Sequence, residues 1–119
     1  MNPFSLPQRV LVCPRPQDMR AGIERLAGIV TVEFGEDPTD ESLYVFLSRK
    51  ADRAKMLRYD TNGWCLYYVR LSRGTFRWQF REGSRPMLAI ERKQLLWLLE
   101  GLEVNQPKAH LPVADHILL

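Results

Sequence analysis

The sequence predicts an α+β fold in which an antiparallel β-meander sheet of about four or five strands packs against two helices. Three observations predict it: a continuous apolar run at 43–47, an Asn-Gly pair between two β-rich runs, and two stretches of helical periodicity. An Asn-Gly pair favours a tight hairpin because both residues tolerate positive φ. The 119 residues suit one domain. We place it at 1–103 and expect an irregular C-terminal tail at 104–119.

The first half of the chain predicts a strand, a helix and a second strand. Residues 8–13 form a β-branched, apolar run, and two prolines soon after it break regular structure. Asp18 is expected to cap the helix that follows, because a carboxylate can accept backbone N–H groups at the positive helix end. Apolar residues recur at three- and four-residue steps from Asp18 to about Phe34, which is typical of an amphipathic helix. An acidic loop at 35–42 leads to a strand at 43–47.

The second half predicts the meander and the second helix. Residues 54–60 and 64–71 flank the Asn-Gly pair, and a turn at 72–74 leads to a further strand at 75–80. In that segment Phe76, Trp78 and Phe80 alternate with polar residues, as in a half-buried strand. Residues 81–86 are expected to form a loop. Leucines recur at 91–101, and Gly101 stands where a helix ends, so a helix is predicted there.

Positive charge is concentrated between residues 43 and 80. This stretch carries eight Lys or Arg and two Asp, a formal charge of +6, whereas the whole chain carries +3. Such an imbalance indicates a surface that meets an anionic partner. Sheets bind nucleic acid by laying cations along phosphates and stacking bases on exposed rings. The alternatives are an acidic protein partner and a simple solvated face. The candidate binding residues are Arg49, Lys50, Arg53 and Lys55 as the primary cluster, with Arg58, Arg70, Arg73 and Arg77 extending it along the meander.

Residue types that support catalysis are sparse. Both histidines, His110 and His116, lie in the predicted tail, where a general base is not held in position. Cys13 and Cys65 are too few for a zinc cluster or a disulfide framework and are expected to be reduced thiols. No apolar run approaches the ~20 residues that span a bilayer, and no signal peptide pattern opens the chain. We therefore expect a cytoplasmic protein with no membrane partner.

Carboxylates are the remaining candidates for a metal site. Asp18, Asp52 and Asp60 have the residue type that binds Mg²⁺. A helix cap, an ion pair beside Lys50 and Arg53, and a turn position explain them without a metal. No phosphate-binding glycine loop is present in the sequence. We therefore predict no catalytic residues, no metal site and no cofactor.

Several short motifs stand in a fixed order over residues 9–102. They are Asp18-Met19-Arg20 with Gly22 and Leu26-Ala27; Leu43 to Phe46 with Arg49-Lys50, Asp52-Arg53, Lys55, Leu57 and Asp60; Gly63, Cys65-Leu66-Tyr67, Arg70-Leu71, Gly74, Phe76 and Trp78; and Gln94-Leu95 with Leu98-Leu99-Glu100-Gly101. Their order and spacing resemble those of the TnpB accessory proteins, the second open reading frame of the insertion-sequence-sixty-six family of bacterial mobile elements. The chain departs from that pattern at Ala21, Val69, Ser72 and Gln79.

The resemblance implies a role in transposition. Proteins of that family assist a separate transposase that carries the nuclease chemistry, and no catalytic residues are established for them. We therefore expect a non-catalytic accessory protein that binds element DNA, the transposase of the same element, or both through its basic β-surface. The alternatives are a protein–protein adaptor that does not bind nucleic acid and a small metal-dependent nuclease.

Overall fold

The computed structural model describes residue 7 and residues 9–105. In that part of the chain, five strands form one mixed sheet: β1 (Val10–Val12), β2 (Leu43–Leu47), β3 (Arg53–Asp60), β4 (Gly63–Arg70) and β5 (Leu88–Ile90). Their order across the sheet is β4-β3-β2-β1-β5. β1 and β2 are parallel, and the other neighbouring pairs are antiparallel. With two helices against this mostly antiparallel sheet, the predicted α+β class is confirmed.

The first helix begins later than predicted. Helix α1 (Ile23–Gly28) continues directly into a π-helical segment (Ile29–Glu33). The expectation that Asp18 caps this helix is wrong, because Gly22 is the residue before it. The Asp18 carboxylate instead accepts hydrogen bonds from the backbone N–H and the guanidinium of Arg20, at 2.8 and 2.7 Å. The helix crosses one face of the sheet, as the parallel pairing of β1 and β2 requires.

The β3–β4 hairpin lies where it was predicted, but its turn is shifted by one residue. Thr61 and Asn62 join the strands, and Thr61 rather than the Asn-Gly pair has positive φ, at 46°. Gly63 is already the first residue of β4 and pairs with Asp60. From that pair the register runs continuously to Arg53 opposite Arg70.

The strand predicted at 75–80 is wrong. Among the described residues, the strand that follows β4 is β5, which the sequence analysis did not predict and which pairs with β1. Phe76 is nevertheless only 2% exposed, and its backbone N–H donates to the carbonyl of Ala51 at 2.6 Å. Trp78 and Phe80 are half-buried against the same core. The alternation of apolar residues at 75–80 therefore belongs to a segment that packs on a face of the sheet without joining it as a strand.

Apolar residues cover both faces of the sheet. On the α1 face, Leu26 and Val30 pack on Tyr44, Phe46 and Leu57. On the other face, the leucines of α2 (Arg92–Leu99) pack on the odd-numbered residues of β2 and the even-numbered ones of β3. We call this the α2 face.

The second helix confirms the prediction at 91–101, with slightly shorter bounds. Glu91 and Gln94 form a capping box at its start, and Gly101 follows its end with φ +80°. Residues just beyond the helix fold back on it, since Gln94 Nε2 donates to the carbonyl of Val104 at 3.1 Å. The rest of the predicted tail, at 106–119 with both histidines, lies outside the described residues. No helix in the described part is long and apolar enough to cross a membrane.

Candidate nucleic-acid interface

The turn between β2 and β3 presents the first two candidate cations. Ser48 closes this turn: its hydroxyl donates to the Asp52 carboxylate at 3.0 Å and accepts from the backbone N–H of Arg53 at 3.1 Å. The hydrogen bond from Ser48 lowers the pKa of Asp52. Arg49 and Lys50 occupy the tip of the turn, and both are exposed. The sequence folds this way locally because a serine hydroxyl can satisfy turn backbone groups.

Strand register places two arginines directly opposite each other. Arg53 pairs with Arg70, and Lys55 pairs with Tyr68, all on the α1 face of the β3–β4 hairpin. Like charges directly opposite on one face of a sheet destabilise it. The Tyr68 hydroxyl accepts a hydrogen bond from Arg53, which raises the pKa of the guanidinium. Tyr68 remains 52% exposed between these cations.

Lys55 is held in position by two contacts. Its ammonium group donates to the carbonyl of Ala21 at 2.9 Å and lies 5.4 Å from the centre of the Tyr68 ring. These contacts fix the charge beside the aromatic ring, and a cation over the face of a tyrosine is itself favourable. The chain before α1 therefore helps to build the site.

Arg53 connects two adjoining surface depressions. One is lined by Arg49 and Asp18 among others, and the second by Arg20, Lys55 and Tyr68. The Asp18–Arg20 pair thus borders the same surface, and hydrogen bonds from Arg20 hold the pKa of Asp18 well below its ordinary value. We call this surface the basic strip. It has six cations and two carboxylates, six minus two giving a formal charge of +4: Arg20, Arg49, Lys50, Arg53, Lys55 and Arg70, with Asp18 and Asp52.

Three of the eight candidate cations lie elsewhere, so the expectation of one continuous exposed surface is wrong. Arg58 is 2% exposed and lies on the α2 face. Side chains alternate between the two faces along β3, so Arg58 and Lys55, three residues apart, lie on different faces. Arg73 and Arg77 are exposed but line a separate depression beside the C-terminal end of α2. Arg77 also pairs with Glu103 at 3.2 Å. Cations near a helix C-terminus stabilise its dipole, which gives these two a structural explanation.

The three candidate metal ligands do not converge. Asp52 precedes β3 and Asp60 ends it, so about eight residue steps of ~3.3 Å separate them, roughly 26 Å. Asp18 is engaged by Arg20. Within the described ranges, no group of three His, Cys, Asp or Glu side chains is arranged to hold a metal ion. These three aspartates therefore cannot form the metal site that the nuclease alternative needs.

Arg20, which belongs to the basic strip, and Tyr68, whose ring lies beside it, were not among the predicted contacts. Arg20 reaches the strip because the backbone turns at Asp18. In the sequence, only the position of Arg20 two residues after Asp18 indicates that the two side chains pair. Alternation along β4 places Tyr68 on the same side as Arg70, but only the hairpin register brings it next to Lys55. The sequence therefore predicts most of the cations of the strip, but not which side chains lie next to each other.

A family model for the IS66 Orf2 like proteins matches residues 8–109. The chain belongs to this family. It is 35% identical over 108 residues to the uncharacterized protein y4hO of Sinorhizobium fredii (strain NBRC 101917 / NGR234), covering 91% of this chain and 92% of that protein. The uncharacterized protein y4jC of the same strain is 26% identical over 105 residues, covering 87% and 90%. No solved structure matches the chain.

Membership in the IS66 Orf2 like family confirms the resemblance found in the sequence motifs. It indicates an accessory role in transposition. The family match covers both the basic strip and the sheet that supports it, because residues 8–109 include every described strand and helix.

Proposed function

We propose that this protein assists transposition by binding the DNA of its element through the basic strip, alongside the transposase of the same element. The observation that carries the proposal is the pairing of Arg53 with Arg70 on one exposed face, next to Lys55. Adjacent strands are ~4.8 Å apart, so the two arginines repel one another in the free protein, and the exposed ion pair of Arg53 with Asp52 at 3.6 Å offsets this only in part. A polyanion relieves that repulsion, and closely spaced phosphates suit a row of cations.

The exposed ring favours nucleic acid over an acidic protein surface. Tyr68 is half exposed between Arg53 and Lys55, where an unpaired base at an opened DNA end can stack while the flanking cations contact phosphates. A carboxylate-rich partner makes use of the cations but has no corresponding group for the ring. Because sheet and turn positions hold these side chains, the strip is already assembled before DNA arrives.

The distribution of charge supports the same orientation. The acidic loop that precedes β2 is at the opposite end of that strand from the turn carrying Arg49 and Lys50. Two of its carboxylates are paired with Arg9, Glu36 at 3.1 Å and Asp40 at 3.0 Å. Phosphates are therefore attracted to one end of the sheet and repelled from the other.

A DNA-binding titration with matched charge reversals tests the proposal. Fluorescence anisotropy is measured with the terminal DNA of the element and with a scrambled duplex of equal length, over a series of salt concentrations. Arg49→Glu combined with Arg53→Glu is compared with Arg73→Glu combined with Arg77→Glu, which changes the net charge equally. Each lost phosphate contact lowers the salt slope by about 0.9. We expect the first double variant to lower the slope by about 1.8 and to abolish transposition, and the second to leave both nearly unchanged.

Three results would contradict the proposal. Equal loss of binding in both double variants indicates a net charge effect without a site. Normal transposition by a folded Arg49→Glu, Arg53→Glu protein, with folding checked by circular dichroism, rejects the basic strip. Capture of the transposase without any measurable DNA binding indicates the adaptor alternative. Preference for the terminal duplex over the scrambled one distinguishes end recognition from phosphate contact alone.

A further inference from the structure

Within the described part of the chain, one long edge of the sheet has no neighbouring strand. β4 is the outermost strand, eight residues long, and the strand predicted at 75–80 to cover it does not form. The backbone N–H of Leu71 donates to the carbonyl of Asp52, which continues the β3–β4 ladder. Odd-numbered residues of β4 therefore bond to β3, and alternate residues direct their backbone groups outward. The outward residues are Trp64, Leu66, Tyr68 and Arg70.

This edge lacks the features that usually protect an edge strand. Sheet edges are normally blunted by short strands, prolines, bulges or several charges. β4 has no proline, its pairing with β3 is continuous, and Arg70 is its only charged residue. β5, at the other edge, is only three residues long. The two edges are therefore not equivalent, and β4 is the one that can accept another strand.

We infer that β4 pairs with β4 of a second copy of this chain, antiparallel, to form a continuous sheet across a two-fold axis. Only the outward residues can form backbone hydrogen bonds with the second copy. With the two-fold axis perpendicular to the sheet, the α1 faces of both copies lie on the same side of the continuous sheet. The register that uses all four outward residues sets Trp64 opposite the partner's Arg70 and Leu66 opposite the partner's Tyr68. It forms about eight backbone hydrogen bonds.

The side chains are self-complementary in this register. Each Arg70 meets an indole, a cation–π arrangement, and each Tyr68 meets an aliphatic side chain. No like charges stand directly opposite each other across the interface. A shift by two residues in one direction leaves Trp64 without a facing residue, and a shift in the other direction leaves Arg70 without one. This register is therefore favoured over its neighbours. The dimer shares Tyr68 and Arg70 with the DNA-binding proposal, but it is argued from the backbone of β4 and is tested without DNA.

Amide hydrogen exchange on the full chain over a concentration series tests the dimer, together with sedimentation velocity on the same samples. The odd-numbered amides of β4 are expected to be protected at every concentration. The amides of Trp64, Leu66, Tyr68 and Arg70 are expected to gain protection as the sedimentation coefficient rises to that of a dimer. Rapid exchange of these four at all concentrations would refute the inference. Protection of these four amides in samples that sediment as monomers would also refute it, because a segment of the same chain would then cover the edge.

A pair of substitutions at one position isolates the backbone contribution. Tyr68→Ala and Tyr68→Pro both remove the exposed ring, but only the proline removes an outward N–H, and proline is tolerated at such edge positions. Because both copies carry the substitution, the dimer loses two backbone hydrogen bonds. We expect the dimer of Tyr68→Pro to dissociate about 30-fold more readily than that of Tyr68→Ala. Equal dissociation constants would show that this edge is not the interface.

Discussion

Replacing Phe76 with Ala tests how the segment at 75–80 is held. Phe76 is 2% exposed and belongs to the core that contains Leu95 and Leu98 of α2. Truncation of a fully buried Phe to Ala costs about 3–5 kcal/mol, because transfer free energy is lost and a cavity remains. Since domains of this size are stable by about 5–15 kcal/mol, this single change removes a large share of the free energy of unfolding.

Phe80→Ala is the matched control, because it removes the same atoms from a half-buried site in the same segment. We expect it to cost about 2 kcal/mol, since part of the ring is already in water. Urea unfolding followed by tryptophan fluorescence gives both free energies from their midpoints. If 75–80 were a half-buried strand, as the alternation predicted, the two rings would occupy equivalent positions on one face. Equal costs for both substitutions would therefore refute the docked arrangement.

Phe76→Ala should also affect the basic strip, through a backbone hydrogen bond. The N–H of Phe76 donates to Ala51, which lies in the turn that carries Arg49 and Lys50. Losing the ring loosens the docked segment, so the amide of Phe76 should exchange faster in Phe76→Ala than in Phe80→Ala. Unchanged protection of that amide would show that the turn does not depend on the buried ring.

Three further predictions concern stability and reactivity. Burial raises the pKa of Tyr44 above its ordinary 10.0. Above that pH the tyrosine ionises in the unfolded chain before it does in the folded one, so the free energy of unfolding falls as the pH rises. Tyr44→Phe should reduce this alkaline loss of stability, measured by urea unfolding. Burial also raises the pKa of Cys13, so Ellman's reagent should label the half-buried Cys65 first and Cys13 only at the rate of unfolding. Gly101→Ala should cost about 1 kcal/mol because φ is +80°, whereas Gly28→Ala, at φ −63° in a helix with open space around the added methyl group, should stabilise the protein by about 0.5–1 kcal/mol in the same assay.

Local signals predicted the elements that depend on local interactions. The apolar run at 43–47 forms β2, buried at every position, since helices or docked segments cover both faces of the sheet. The helix at 91–101 forms because leucine spacing, a capping box and Gly101 all favour it. The hairpin forms as well, although strand pairing shifted its turn so that Gly63 starts β4. In these segments neighbouring residues carry enough information.

Predictions failed where a local pattern had two physical explanations. An aspartate can cap a helix or bond a nearby arginine, and Asp18 does the second, so α1 starts at Ile23. Alternating aromatics suit a strand or a docked segment, and periodicity does not distinguish them. β5 is too short to show a pattern, and its partner β1 is distant in sequence. Only tertiary packing resolves such ambiguities.

For the candidate site, sequence predicted the composition and structure supplied the arrangement. The charge count predicted cations near 43–80, and the two-residue period of a strand puts Arg58 and Lys55 on different sides. The sequence did not show that the side of β3 carrying Arg58 would be buried, or that the register would place Arg53 against Arg70. These facts depend on which helix covers which face. A net charge of +3 therefore gives little information about where an anion would bind.

The position of charge along β2 explains how so modest a net charge can serve a polyanion. Five residues at ~3.3 Å separate the acidic loop from the basic turn by roughly 17 Å, about twice the screening length of ~8 Å at physiological salt. Phosphates near the turn therefore experience the +4 of the basic strip with little opposition from the carboxylates at the other end. Those carboxylates are also partly neutralised by Arg9. Local charge, fixed by strand direction and register, decides what this surface can bind.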